Sequence, residues 1–346
     1  MKKRIIVLLL CCFLTGVAFA QLNFNGEVYA GIQLRIAPET DESITADHRD
    51  YGAPEFHVSA TASRENYGAR LVTEFKGTDF SVTGIYGWVD FLNNSLRLSL
   101  GQFSDGHWVT QLDSDLPALT LDHITGFRIT YDLSAITPVL QGLNVGVAFR
   151  TVGENISELG RQAIFGATYA NPLFSAIFVY DLGQNVRTLF GFNIPSFGFV
   201  GLPDLSVGFN LHATALSTWS ATRTPSGVLT LYQRVGYRVS WPISVSLIAH
   251  QRFFGNPNMN YAGMMFGPGV TYRHSRVPNL TASLRVMIES PDHFSTTDLI
   301  IRPAIEKALA GPALFYLQYE ARLPDVGAPG NRAVHTVGFG IEIRAF

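Results

Sequence analysis

Apolar and polar residues alternate along this chain with a period of two. From Asn23 to Ile36 the even positions are Phe24, Gly26, Val28, Ala30, Ile32, Leu34 and Ile36. The odd positions are Asn23, Asn25, Glu27, Tyr29, Gly31, Gln33 and Arg35. Successive side chains of a strand point to opposite faces, so this segment has one apolar and one polar face; a helix would scatter both sets around its axis. The run is about twice the five or six residues of an average soluble strand. The same alternation returns at 56–62, 67–76, 80–91, 96–100, 127–133, 143–150, 163–169, 174–182, 186–193, 205–213 and 229–239. It continues at 243–253, 264–273, 280–289, 299–306, 313–323 and from 334 to the end. That makes about eighteen strands, many near the roughly 9–11 residues a tilted membrane-spanning strand needs. Sixteen is the alternative count, because Pro268 and Pro303 fall inside proposed strands, where a missing N–H removes a ladder bond.

The connections alternate in length as well. With the first strand taken as upward, Arg64-Glu65, Asn93-Asn94, Asn171-Pro172 and Trp241-Pro242 are tight turns at one end. Residues 37–53, 103–123, 152–161, 214–227, 255–261 and 324–332 are long connections at the other. Short periplasmic turns and long external loops are the habit of bacterial transmembrane barrels. Lys76 to Asp79 and Gly183 to Asn185 are short for external loops, and Pro195 to Asp204 is long for a periplasmic turn. The expected fold is all-β: a transmembrane antiparallel up-and-down β-barrel.

The first twenty residues fit an exported protein. Met1-Lys2-Lys3-Arg4 is followed by an apolar stretch from Ile5 to Leu14 and by Ala18-Phe19-Ala20 before Gln21, the order of a cleaved secretory signal. A lipidated Cys11 or Cys12 is the rival, but the apolar run before Cys11 is then only Ile5 to Leu10. The expected organisation is a signal peptide at 1–20 and one barrel domain at 21–346. Both cysteines lie in the signal, so the mature chain has no disulfide or thiolate–metal chemistry. Without Lys2, Lys3 and Arg4, 22 basic residues remain against 27 acidic, which offers nothing to nucleic acid. Hydrophobic content is 47% with 15% charged residues, yet no later window approaches about 18 consecutive apolar residues. A closed barrel is the other way to leave no backbone group unpaired in lipid.

Charged strand residues fall largely on the polar phase, as lipid on one side and water on the other would select: a lipid-facing Arg near the midplane costs about 2–4 kcal/mol. Counting from strand ends puts Arg70, Arg128, Arg234 and Arg285 near mid-height, with Arg35 and Glu74 on the same inward phase, as candidate pore-lining residues. Pairing with inward acids in a plugged interior is the alternative. Tyr131, Tyr169, Tyr237 and Trp241 near strand ends suit an interfacial girdle. The acidic first loop, with Glu39, Asp41, Glu42, Asp47 and Asp50, is read as solvated rather than as a Ca²⁺ site.

The longest loop, Phe103 to His123, follows the fifth strand and carries Asp105, Asp113, Asp115 and Asp122 with no Lys or Arg. In that place it resembles the constriction loop of the general bacterial porins, barrels of 16–18 strands. The resemblance implies that the loop folds into the barrel and sets acidic groups against an arginine-rich wall. Leu112, Leu116, Leu119 and Leu121 favour an inward loop, since an outside one would leave them wet. The resemblance also implies an outer-membrane location, insertion by the barrel assembly machinery, contact with outer-membrane lipid, a homotrimer and passage of small hydrophilic solutes. Two departures stand against it. Counting back from Phe346, alternate positions are Arg344 and Glu342, while Ala345, Ile343, Ile341, Phe339 and Val337 hold the apolar phase. No Pro-Glu-Phe-Gly-type sequence occurs in the loop.

No Gly-x-Ser-x-Gly elbow, His-Glu-x-x-His or phosphate-binding glycine loop is present, so the sequence points to no catalytic, cofactor or metal site. The expected activity is passive diffusion through a mixed-charge, Arg-lined lumen. The rivals are a transporter for hydrophobic compounds and an adhesin that uses the barrel as a scaffold.

Overall fold

The computed structural model describes residues 21–37, 40–45, 54–103, 112, 116, 124–151, 163–183, 186–214, 228–254, 262–290, 296–309, 313–326, 328 and 332–344. The proposed signal, residues 1–20, lies outside these. Nineteen strands are formed: β1 (Gln21–Ala37), β2 (Thr40–Thr45), β3 (Glu55–Arg64), β4 (Tyr67–Lys76), β5 (Asp79–Phe91), β6 (Leu96–Phe103), β7 (Ile124–Asp132), β8 (Leu143–Arg150), β9 (Ala163–Ala170) and β10 (Ser175–Asp181). They continue as β11 (Arg187–Ile194), β12 (Leu205–Thr214), β13 (Val228–Ser240), β14 (Ile243–Phe254), β15 (Ala262–Arg273), β16 (Leu280–Ser290), β17 (Asp298–Ala308), β18 (Ala313–Leu323) and β19 (Val334–Arg344).

Each strand of the ring pairs antiparallel with its sequence neighbour, and the ends meet. β1 pairs with β19 through Glu27 to Ile36 on one edge and with β3 through Gln21 to Tyr29 on the other. β2 pairs only with the upper part of β1, as the return arm of the first long connection. The other eighteen strands close the barrel, so the count is eighteen rather than sixteen. A closed ring leaves no strand edge to be satisfied in lipid.

Both prolines are accommodated at the cost of one ladder each. Pro268 keeps register with Leu247 of β14, while the β16 pairing is interrupted at that point. Pro303 keeps register with Leu284 of β16, and the gap falls toward β18. A strand interior therefore absorbs the missing N–H when only one neighbour loses a bond.

Register fixes the two faces. Leu98 opposite Ile129, Phe178 opposite Phe190 and Val270 opposite Leu284 are exposed on the outside, as are Ile341 and Phe339 of the closing strand. Within the described ring, Arg64 and Lys307 are the charged residues on this outer face, and both sit at the short-turn rim. There a charge costs only about 0–1 kcal/mol. Tyr237 and Trp241 are exposed at the same rim; Tyr131 and Tyr169 lie there half-buried, Tyr169 against Phe174 with ring centroids 4.9 Å apart. Apolar belt outside, charges inside and a closed ladder make this a transmembrane β-barrel. The connection at Pro195 to Asp204 is a folded cap rather than a slack turn: Phe197 bridges Leu202, and the Phe197 and Phe199 rings stack at 5.6 Å.

Candidate functional site

The inner wall has two kinds of lining. On β6 to β11 the inward residues Phe103, Ile124, Ala148, Ile164, Ile177, Val179 and Leu189 form one buried apolar cluster, with Tyr86 and Leu112 packed against it. Inward placement follows from register: Phe103 faces Ile124, Ala148 faces Ile164 and Val179 faces Leu189, each on the phase opposite the exposed outer residues. Leu112 belongs to the longest loop, and its carbonyl accepts a hydrogen bond from Asn193 Nδ2 of β11 at 2.8 Å. Asn193 is on the same inward phase as Leu189. Leu116, of the same loop, is only 2% exposed. Leu112 thus lies inside the barrel, seated on the apolar patch. Asp105, Asp113, Asp115 and Asp122 lie outside the described residues.

The wall also carries charge, on these strands and around the rest of the ring, and much of that charge is paired. Arg97 of β6 holds Asp90 of β5 through two bonds of 2.6 and 2.8 Å, with its guanidinium 5.2 Å from the Trp88 ring centroid. Trp88 lies over Gly68 of β4, where a Cβ would come within 2.3 Å of the indole, so only glycine leaves room for it. Arg150 of β8 reaches across β9 to clamp Asp181 of β10 at 2.5 and 2.7 Å. Arg302 of β17 pairs with Glu320 of β18 at 2.5 and 2.8 Å. Arg322 of β18 bridges Asp298 of β17 and Glu289 of β16, 2.6 Å from each. The Arg97–Asp90 and Arg150–Asp181 pairs are bidentate, which fixes those guanidinium planes against the wall.

The predicted pore-lining residues all take the inward phase, but they are spread around the ring on β1, β4, β7, β13 and β16. Arg70 reaches Ser59 Oγ at 3.4 Å, and Arg234 donates to Ser206 Oγ at 2.9 Å. Arg285 stands directly beside Arg302 in register. Arg35 is exposed on the upper part of β1, opposite Thr336, and Glu74 faces His57. Arg128 departs from the expectation of an open pore lining. It is 2% exposed, its Nε and Nη1 have no hydrogen-bond partner, and its guanidinium lies 4.5 Å from the Phe103 ring centroid. It belongs to the loop-facing side of the wall, where the apolar cluster excludes water.

The alternation placed Glu289 and Glu320 on the inward phase, but sequence reasoning missed the other acidic residues of the wall. Asp90, Asp181 and Asp298 sit at or next to strand ends, where alternation fades, and Glu55 is the first residue of β3. Their signal was phase: each is an even number of residues from an inward neighbour on its own strand.

No protein-family model matches the chain, and no curated protein matches it. Solved structures do match in fold. OpdL of Pseudomonas aeruginosa is 12% identical with a TM-score of 0.58, covering 94% of this chain and 99% of its own. OpdQ of Pseudomonas aeruginosa is 10% identical with a TM-score of 0.58, covering 95% and 98%. The anion-selective porin from Comamonas acidovorans is 12% identical with a TM-score of 0.53, covering 94% and 100%. What these share with the chain is the fold: a bacterial outer-membrane, porin-type β-barrel over nearly the whole length.

Proposed function

We propose that the chain is an outer-membrane channel that lets small hydrophilic solutes diffuse through a mixed-charge lumen lined in part by Arg70, Arg234 and Arg285. The observation that carries this reading is the sorting of charge: within the described ring, charged side chains away from the rim face inward. A closed barrel with a plugged apolar interior would gain nothing from such a wall, whereas a water-filled one requires it. The porin names of the fold neighbours support the same class.

The seated loop supports a constricted rather than a wide pore. On this reading Asp113 and Asp115 supply acidic groups against the arginine wall, so that the narrow zone carries charge of both signs and orders dipolar solutes while giving weak net ion preference. Paired wall charges work in the same direction, because each ion pair cancels most of its own field. Strand length supports a homotrimer. Eight residues at about 3.3 Å each, tilted about 45°, rise only about 19 Å, less than the roughly 25 Å apolar belt of such barrels. The arc from β8 to β11 has strands of eight, eight, seven and eight residues, so protein would cover it better than lipid.

The test is reconstitution of the purified protein in planar bilayers. Stable conductance steps are expected, and a closed bilayer containing folded protein overturns the reading. In a salt gradient, Asp113→Asn with Asp115→Asn is expected to move the reversal potential toward anion preference; unchanged selectivity and conductance remove the constriction role. Cross-linking in detergent reads the trimer.

A further inference from the structure

Glu55, His57 and Glu74 converge on the inner wall near the long-loop end of β3 and β4, and the geometry points to a divalent transition-metal site there. His57 and Glu74 are direct register partners, and Glu55 stands two residues from His57 on the same face of β3. One ligand atom from each side chain lies within 4.8 Å of the others. Zinc–nitrogen and zinc–oxygen bonds are about 2.1 Å, so two ligands of one ion are at most about 4.2 Å apart. Closing the site takes about half an ångström, within reach of a single side-chain torsion on a fixed strand pair.

Glu55 is the key member. It is only 5% exposed, and a carboxylate that dry requires a cation. Here Lys76 Nζ pairs with Glu55 Oε1, and the other oxygen, Oε2, lies 3.2 Å from His57 Nε2. The Lys76 side chain is 48% exposed, so its ammonium can move into lumen water when a stronger cation arrives. A divalent ion takes ligand atoms from both Glu55 and Glu74 and brings twice the charge of the ammonium that now shares their field. Lys76 is therefore the competitor of the metal.

The donor set selects the ion. One imidazole nitrogen with two carboxylates suits Zn²⁺, Ni²⁺ or Co²⁺, whereas Ca²⁺ asks for six to eight oxygens. Three protein ligands leave a position open to the lumen, which water or a passing anionic solute fills. Such an ion places two positive charges at the entrance of the wall. Linear order hides it, because Glu55-x-His57 and Glu74 are separated by a hairpin.

The probe is ZnCl₂ titrated by calorimetry into the full-length protein in detergent, with nickel and calcium chlorides as controls. One zinc per chain is expected, with calcium at least about tenfold weaker. His57→Ala is expected to weaken zinc at least about tenfold. Lys76→Met is expected to tighten it by about fivefold, the worth of one exposed ion pair removed from competition. This gain cannot arise from a variant that merely folds badly. Absence of one-to-one zinc binding, parent affinity in both His57→Ala and Glu74→Gln, or no tightening in Lys76→Met overturns the site. The titration needs no conduction, so its failure and that of the channel reading are separate results.

Discussion

Two arcs of one barrel put the same alternation to different use. From β13 to β19 and on through β1 to β5, strands run to 17 residues, and the inward face carries charged side chains along the arc, among them Arg70, Arg234, Arg285 and Arg302. From β8 to β11 they are seven or eight residues long, and their inward side chains include the buried Ala148, Ile164, Ile177, Val179 and Leu189, with the Arg150–Asp181 pair at the long-loop end. Lipid is outside both arcs. Inside, one meets water and the other meets the loop that enters at Leu112. The difference shows that the inward phase turns apolar over the stretch where Leu112 packs against it, while charge persists on the rest of the wall.

The largest effect should come from wetting the dry arc. Val179→Asp puts a carboxylate into a fully buried position, which costs several kcal/mol if the loop stays seated. The loop is expected to leave, and single-channel conductance to rise at least about twofold if it sets the narrowest section. Thr336→Asp, on the wet wall beside Arg35, is expected to leave conductance within the range of the parent. Equal effects of the two substitutions would erase the distinction between the arcs.

The same distinction explains what could be read from the sequence. Wet strands such as Asn23 to Ile36 announce both their existence and their phase, and the alternation gave the closed count of eighteen because every strand had to bury one face in lipid. Ala163-Ile164-Phe165 and Ala176-Ile177-Phe178-Val179 are apolar on both phases, so they read as strands without saying which side chain points in. The apolar seat of the loop was hidden there, and with it the withdrawal of Arg128 from water. The ion pairs were hidden for another reason: Arg150 and Asp181 meet across an intervening strand, a relation that only register supplies.

Ion pairs on the two arcs should differ next. Asp181→Asn strands Arg150, whose side chain is 15% exposed beside the dry cluster, and is expected to cost about 1–3 kcal/mol after allowance for residual water. Glu320→Gln strands Arg302, 34% exposed on the wet wall, and is expected to cost less than about 1 kcal/mol. Urea midpoints in lipid vesicles measure both. A Glu320 variant as damaged as the Asp181 variant would mean that the wet wall is not wet. Asn193→Ala removes the side-chain tether to the Leu112 carbonyl, worth about 1 kcal/mol. It is expected to speed proteolysis within residues 104–123 severalfold while leaving the urea midpoint almost unmoved.

The smallest effect belongs to the residue that looked most like pore chemistry. Arg128→Met removes a guanidinium whose Nε and Nη1 lack partners, together with its contact to Phe103. The lost cation–π contact is worth about 1–2 kcal/mol, and the relieved burial of an unpaired charge is worth at least as much with the opposite sign. The net expectation is unchanged or slightly higher stability. Because the side chain is sealed from the lumen, the reversal potential in a salt gradient should also stay at the parent value. Arg285→Met, on the wet arc beside Arg302, should shift it toward cations. If Arg128→Met moved the reversal potential as far as Arg285→Met, the loop would not be seated over β7, and the two arcs would share one lumen.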